Sequence, residues 1–511
     1  MGLMADSVVT NGNLMTLDAR RPRASALAVR DGKIVAVGSD ADVLQLAGEG
    51  TKRVNLEGKT VTPGFCDSHI HLLWYGMQLL NEADLVGSED VDDLLERLSA
   101  QAEKSDSWIR GHGFDQSKMK EGRFPTREEL DRVSKSRPIL ISRICGHATV
   151  VNSAALALVT SEQRKRGDER TGLYTEDDAQ PFYAAIPAAS ESEMEEAVLA
   201  ASHVALKTGI TSVHTLLDTP EQMGAYARLR RKGRLPIRVV GMPPYAAVEQ
   251  LHKHGINSTF GDDRVRFGAA KFFSDGSLGA QTALLKEPYA DKPGERGIRI
   301  YDPQDLKRKA RDAQEKGFQV AIHAIGDQAV RESIDAIEYA LQGESNEIHR
   351  HRIEHASMVS PDSLERLAKL KIVVTCQPQF VTSDTWTGQR VGTERVSWCY
   401  PFKSLLHAGV PITLSSDCPV EKVHAFEALW AAVGRHDWCG SEEGLTVEEA
   451  IRAYCLGSAY AAHQDDRLGS LEVGKLADFV VLSGDPTDMD VEGVKGVEAV
   501  GVYVGGVNLN C

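Results

Sequence analysis

No stretch of this 511-residue chain approaches the about 18 consecutive apolar residues that a membrane-spanning helix needs, so a transmembrane reading is excluded. Runs of basic residues are missing too. Acidic residues outnumber basic ones by 73 to 58, for a formal net charge of −15. That balance argues against a nucleic acid or an anionic membrane as partner. The stretch Met1-Gly2-Leu3-Met4-Ala5-Asp6 lacks the basic region and apolar core of a secretory signal, and Asp6 stands where a myristoylation signal needs Ser or Thr. The eight cysteines contain no C-x-x-C pair. Scattered through so long a chain, they predict reduced thiols in a cytoplasmic protein rather than a disulfide framework.

What is present is the composition of a globular protein, with 42% hydrophobic and 26% charged residues. The length suits a large barrel with a satellite domain. The first sixty or so residues read as short strands and turns, including a hairpin over Ala26–Gly38 with an Asp31-Gly32 turn. The last forty or so have the same texture, in Phe479–Leu482 and Ala499–Val504. Neither piece is large enough to bury a core alone. Residues 1–62 and 467–511 are therefore expected to join as one composite β-sandwich.

Residues 63–466 alternate apolar runs with helical patterns, the mark of a parallel α/β fold. Ser360-Pro361 reads as a helix start, and Asp327 as the cap of a helix carrying Val330, Ile334, Ile337 and Leu341. The candidate strands are Pro63–His71, Pro138–Ile144, Ile210–Leu217, Ile237–Met242, Val265–Phe273, Gln319–His323, Arg352–His355, Ile372–Gln377 and Val410–Asp417. This is one too many for a (β/α)8 TIM-like barrel. The long gap between His71 and Ile210 resolves the excess: residues at about 75–190, with Trp108–Gly113 and Pro138–Ile144, become an insertion after the first barrel strand.

In such a barrel, side chains at the C-terminal strand ends form the active site. The first strand ends in Phe65-Cys66-Asp67-Ser68-His69-Ile70-His71, and alternation puts Asp67, His69 and His71 on one face. The other strand ends supply Lys271, His323, His355 and Asp417. Four histidines and an aspartate are ligands that suit Zn²⁺ first, with oxygen ligands extending the choice to Mn²⁺, Fe²⁺ or Co²⁺. One or two divalent ions are expected. Taken singly, each histidine is more simply a surface or core residue; it is their joint placement at strand ends that predicts a metal centre. Lys271 alone would read as a surface lysine, yet it continues the barrel-facing series Val265, Phe267, Ala269, where a cationic amine would repel a metal.

These motifs resemble the amidohydrolase superfamily and, more narrowly, amidohydrolase family 3, known for hydrolysis of N-substituted formamides. Thr62–His71 is similar to its PGF-x-D-x-H-x-H motif, and Gly146-His147 with Asn152-Ser153-Ala154-Ala155-Leu156 to a segment of its insertion. Lys271 through Asp275-Gly276-Ser277-Leu278-Gly279 resembles its K-x-x-x-DGSLG. His323–Asp327, Arg352–His355, Ser416–Val420 and Gly469–Asp478 match further segments. The resemblance implies a metal-dependent hydrolase cleaving a C–N bond of an amide, formamide or cyclic amide, through a water that the metal activates. It also implies a carboxylated Lys271 bridging two ions. Asp417 would ligate and carry the proton to the leaving nitrogen. His147 would help polarise the carbonyl, or else cap a turn.

Asp275 is expected in a loop beside the metals and Trp386 as an apolar pocket wall or an oligomer contact; both are carried as candidate substrate-binding residues. His214 is expected to pack. The expected partner is a small-molecule amide, and a homodimer is the candidate assembly. Two other readings stay open: a deaminase on the same barrel, which would be expected to have Glu where this chain has Gly326, and a non-catalytic scaffold, which would be expected to have lost ligands.

Overall fold

The computed structural model describes residues 4–509, apart from Ser105, Asp106, Cys145, His147, His436 and the side chains of Glu176, Asp177 and Asp437. The proposed role of His147 therefore lies outside the described residues. The chain divides into two compact units, one made of residues 1–72 and 202–511, the other of 73–201.

The first unit holds four sheets. Two are built from the chain ends. A six-stranded sheet runs in the order Val507–Asn508, Ala499–Val504, Phe479–Leu482, Thr60–Pro63, Asn13–Met15, Arg23–Ala24, so that C-terminal strands pair directly with N-terminal ones. A four-stranded sheet is wholly N-terminal: Lys33–Gly38, Ala26–Arg30, Ser7–Thr10, Lys52–Asn55. Its hairpin turns at Asp31 and Gly32, both with positive φ (50° and 73°), which is the geometry the Asp-Gly pair favours. One apolar cluster, including Val9, Leu27, Val61, Phe479 and Tyr503, draws on both sheets.

The other two sheets of this unit are parallel. The first orders Val265–Phe267, Arg238–Met242, Ile210–Leu216, Phe65–Ile70; the second orders Ala270–Phe273, Val320–Ala324, Arg352–His355, Val373–Cys376, Ile412–Leu414. Strands Phe65–Ile70, Ile210–Leu216, Arg238–Met242 and Val373–Cys376 are buried on both faces, as helix-flanked parallel strands are. The expected single strand Val265–Phe273 is thus two, broken at Gly268-Ala269. The cause is a change of partner. Phe267 pairs with Gly241, whereas Ala270 donates its amide to Gln319 O at 2.8 Å.

Backbone bonds also pass between the two parallel sheets. Lys271 N donates to Pro243 O (2.8 Å), Asp417 N to His69 O (2.9 Å) and His71 N to Cys418 O (2.8 Å). The helix expected from Asp327 runs Asp327–Leu341, but Gly326 is its N-cap. Asp327 instead accepts the Lys286 amide at 3.1 Å. Helix Pro361–Leu370 starts after Ser360, as expected.

The second unit carries a five-stranded sheet, Leu173–Thr175, Ala148–Val151, Ile139–Arg143, Ile109–Phe114, Glu82–Asp84. Leu94, Leu95, Leu98, Ile109, Ile139 and Ile141 are among its buried core. Both expected strands of the insertion are here. Among the described residues no helix is long and apolar enough to cross a membrane.

Candidate metal centre

The parallel strands end in a tight group of nitrogen and oxygen donors. One donor atom from each of His69, His355 and Asp417 lies within 4.8 Å of the others, and all three residues are buried. His71 Nε2 and His69 Nε2 lie 3.5 and 3.4 Å from Asp417 Oδ1. The ring of His323 is centred 4.5 Å from that of His355. Lys271 Nζ sits 3.5 Å from His69 Nε2 and 4.8 Å from the centre of the Phe273 ring. All six residues expected to hold metal are therefore brought together.

Two of them depend on unusual backbone. His355 (φ 72°) and Asp417 (φ 58°) both take the left-handed conformation, as does Ala356 (φ 43°). For residues with a side chain this conformation costs about 1–3 kcal/mol and is kept where function over-determines it. It bends the chain at the strand end, where plain alternation would turn Glu354 and His355 to opposite faces.

Three of the imidazoles have one nitrogen engaged away from the group. His69 Nδ1 meets Glu354 Oε2, His355 Nδ1 meets Gln377 Oε1 at 2.9 Å, and His323 Nε2 meets Gly276 O at 3.0 Å. Each acceptor needs an N–H opposite it, so the other ring nitrogen is left with its lone pair. Burial keeps these rings neutral, pushing His69 down to about 4 and His323 to about 3. Burial raises the Asp417 carboxyl, but His69 and His71 beside it hold it below the usual carboxylate range. Its Oδ1 is buried without a hydrogen-bond partner among the described residues. Lone pairs converging on an ionised, unpartnered oxygen are the donor set a divalent cation requires, so the residues present fit a metal.

Burial drives the Lys271 amine down to about 8 against the pull of Glu354 and Asp417. Asp275 lies beside the group, its Oδ1 3.5 Å from His323 Nε2. Its carboxylate accepts from Leu284 N (2.9 Å), Ile325 N (3.1 Å) and Gly326 N (2.9 Å), which fastens the loop after Lys271 to the end of strand Val320–Ala324. Trp386 lies against Gly279 in that loop, where an added Cβ would meet Cζ2 at 3.1 Å. Gly326 has no room for any side chain: a Cβ there would lie 2.1 Å from Leu284 O.

Sequence reasoning missed Glu354, Arg352, Gln377 and the structural part of Asp67. Asp67, fully buried, accepts from Ser416 N at 3.1 Å and from His69 N at 3.3 Å, and burial pushes it up to about 7. Arg352 and Glu354 did leave a signal, since they are two charges inside a strand that is buried throughout.

Strands of a parallel α/β fold ending in histidines and an aspartate define a metal-dependent hydrolase of the amidohydrolase kind. The chain belongs to the amidohydrolase family, whose profile matches residues 52–509. It is 34% identical to the putative amidohydrolase YtcJ of Bacillus subtilis, with 94% of each chain covered. To the N-substituted formamide deformylase of Arthrobacter pascens it is 28% identical, over 99% of this chain and 98% of that one. The crystal structure of an uncharacterized metal-dependent hydrolase from Pyrococcus furiosus superposes with a TM-score of 0.83 at 33% identity, covering 94% of this chain and 99% of that one.

Proposed function

We propose that this chain hydrolyses a C–N bond of a small amide, with an N-substituted formamide or a cyclic amide as the substrate class. The observation that carries the reading is the donor set itself: neutral imidazoles with their outer nitrogens occupied, beside an ionised Asp417 whose Oδ1 lies 3.4 and 3.5 Å from His69 and His71 Nε2. The similarity to a formamide deformylase supports the narrower class. The two parallel sheets, linked at Lys271–Pro243 on one side and Asp417–His69 on the other, are read as one closed (β/α)8 barrel.

His69, His71, His323, His355, Lys271 and Asp417 would hold one or two divalent ions, Zn²⁺ foremost, which when bound supply Lewis acidity to a water and to the scissile carbonyl. Asp417, ionised near neutrality, accepts the proton that the attacking water gives up and returns it to the departing nitrogen. Lys271 is read as its carbamate, formed when the neutral amine adds CO₂ and releases a proton. That converts a cation among metal ligands into an anion.

Metal analysis of the purified protein, with hydrolysis of a panel of N-formyl and N-acyl amines before and after chelation, tests the whole. Full activity of metal-free protein would end this reading. A Lys271→Ala variant that still holds two ions per chain would remove the carbamate alone.

A further inference from the structure

We infer that Glu354 is the positioning residue of the centre, the anion that sets the orientation of His69, and that Arg352 exists to hold it. The inference rests on the metal reading above and assigns a role to residues outside the ligand set. Glu354 is fully buried, and both its oxygens are engaged. Oε2 meets His69 Nδ1 and also accepts from Arg352 Nη2 at 3.0 Å, while Oε1 accepts from Arg352 Nε. With its oxygens so occupied, Glu354 is not a competing ligand. A buried carboxylate in a low-dielectric interior stays charged only beside a permanent cation, which a guanidinium supplies and a lysine would not do as rigidly.

Arg352 is itself fixed on its remaining sides. Nη2 donates to Ser68 O at 2.6 Å, and Nη1 lies 3.1 Å from His214 Nδ1. His214 in turn sets its Nε2 3.4 Å from Cys66 Sγ. The pair thus grips the strand Phe65–Ile70 at the backbone of Ser68 and, one residue on, at the ring of His69. It also explains why His214 is fully buried and neutral: it accepts from Arg352.

The three outer nitrogens are not treated alike. His355 has a neutral amide opposite it, and His323 a backbone carbonyl at 3.0 Å with the Asp275 carboxylate farther off at 3.5 Å, whereas His69 meets a carboxylate directly. An anionic partner fixes the ring and raises its basicity more than a neutral one, and losing such a partner typically costs about 10- to 100-fold in metal affinity.

The test is Zn²⁺ titration of metal-free protein, read by competition with a chromophoric chelator, beside the melting curve of the same metal-free samples. Glu354→Gln keeps the shape and removes the charge. The double variant Arg352→Met with Glu354→Leu removes the buried pair without leaving an unpaired ion, so it reports even if Glu354→Gln does not fold. Folded variants that bind Zn²⁺ about 10- to 100-fold more weakly than wild type, with Co²⁺ spectra displaced, are the expected result. Wild-type affinity in a folded variant overturns the inference while leaving the hydrolase reading standing. Failure of the wild-type protein to bind Zn²⁺ at all would instead overturn that reading.

Discussion

Gly326→Ala adds one methyl group at a place where the backbone leaves none to spare. The new Cβ would lie 2.1 Å from Leu284 O, 2.5 Å from its carbonyl carbon and 2.8 Å from its nitrogen, all main-chain atoms. Relief requires a displacement of more than about 1 Å to reach ordinary contact. Leu284 cannot yield freely, because its carbonyl accepts from Gln328 N (3.2 Å) and Ala329 N (3.3 Å), and its amide donates to Asp275 (2.9 Å). Overpacking of this kind costs about 1–3 kcal/mol. Stretching the amide bonds of Leu284 and Gly326 to the Asp275 carboxylate adds roughly 1.5–3 kcal/mol for each that breaks. With one of those two bonds broken, a total loss of about 3–6 kcal/mol is expected, together with lower hydrolytic activity, because the same loop brings Gly276 O to His323. Denaturant unfolding of the metal-free protein measures the first, and initial rates the second. A variant with the wild-type midpoint and rate would refute the reasoning. Gly326→Glu, which would restore the glutamate expected of a deaminase, should be destabilised at least as much and gain no deamination.

Three further outcomes follow from single contacts. Asp417→Asn removes the ionised proton acceptor and should lower kcat by about 100- to 10,000-fold with the fold intact, as seen by circular dichroism; a loss below tenfold would assign the proton to another group. Arg238 and Asp478 form a buried pair, 5% and 4% exposed, with contacts of 2.6 and 2.7 Å. Arg238→Met alone should cost about 3–5 kcal/mol in denaturant unfolding, most of it recovered when Asp478→Leu is added, and a mild single variant would contradict this. Burial pushes Asp384, which accepts from the Tyr400 hydroxyl at 2.5 Å, up to about 6. A raised carboxyl pKa favours the protonated folded form, so wild type should lose up to about 3 kcal/mol as pH rises from about 4 through 6. Asp384→Asn should lack that slope. Parallel stability–pH curves for the two proteins would show that Asp384 does not carry it.

The strand ends were readable because a parallel strand is a short apolar run and its last residues are chemically conspicuous. His69, His71, His323, His355 and Asp417 each follow such a run, and the structure gathers them. Asp275 shows the limit of that reasoning. Its place in a Gly-rich turn puts it beside the ligand histidines, 3.5 Å from His323 Nε2, but only the folded loop reveals that three backbone amides converge on its carboxylate. The strand break at Gly268-Ala269 was equally hidden, since apolar periodicity runs through it and the exchange of partners depends on strands brought together from elsewhere in the chain.

By itself, then, the sequence determined the chemistry: which donor types exist, their order along the chain, and an acidic overall balance. Those follow from residue identity and from periodicities of a few residues, both local properties. The tertiary structure alone decided which nitrogen of each imidazole is free, that Glu354 and Arg352 support His69 from behind, and that Gly326 must stay bare. Each of these depends on atoms far apart in sequence meeting within a few ångströms, and on backbone angles such as those at His355 and Asp417. No local pattern encodes such angles, because the surrounding packing imposes them.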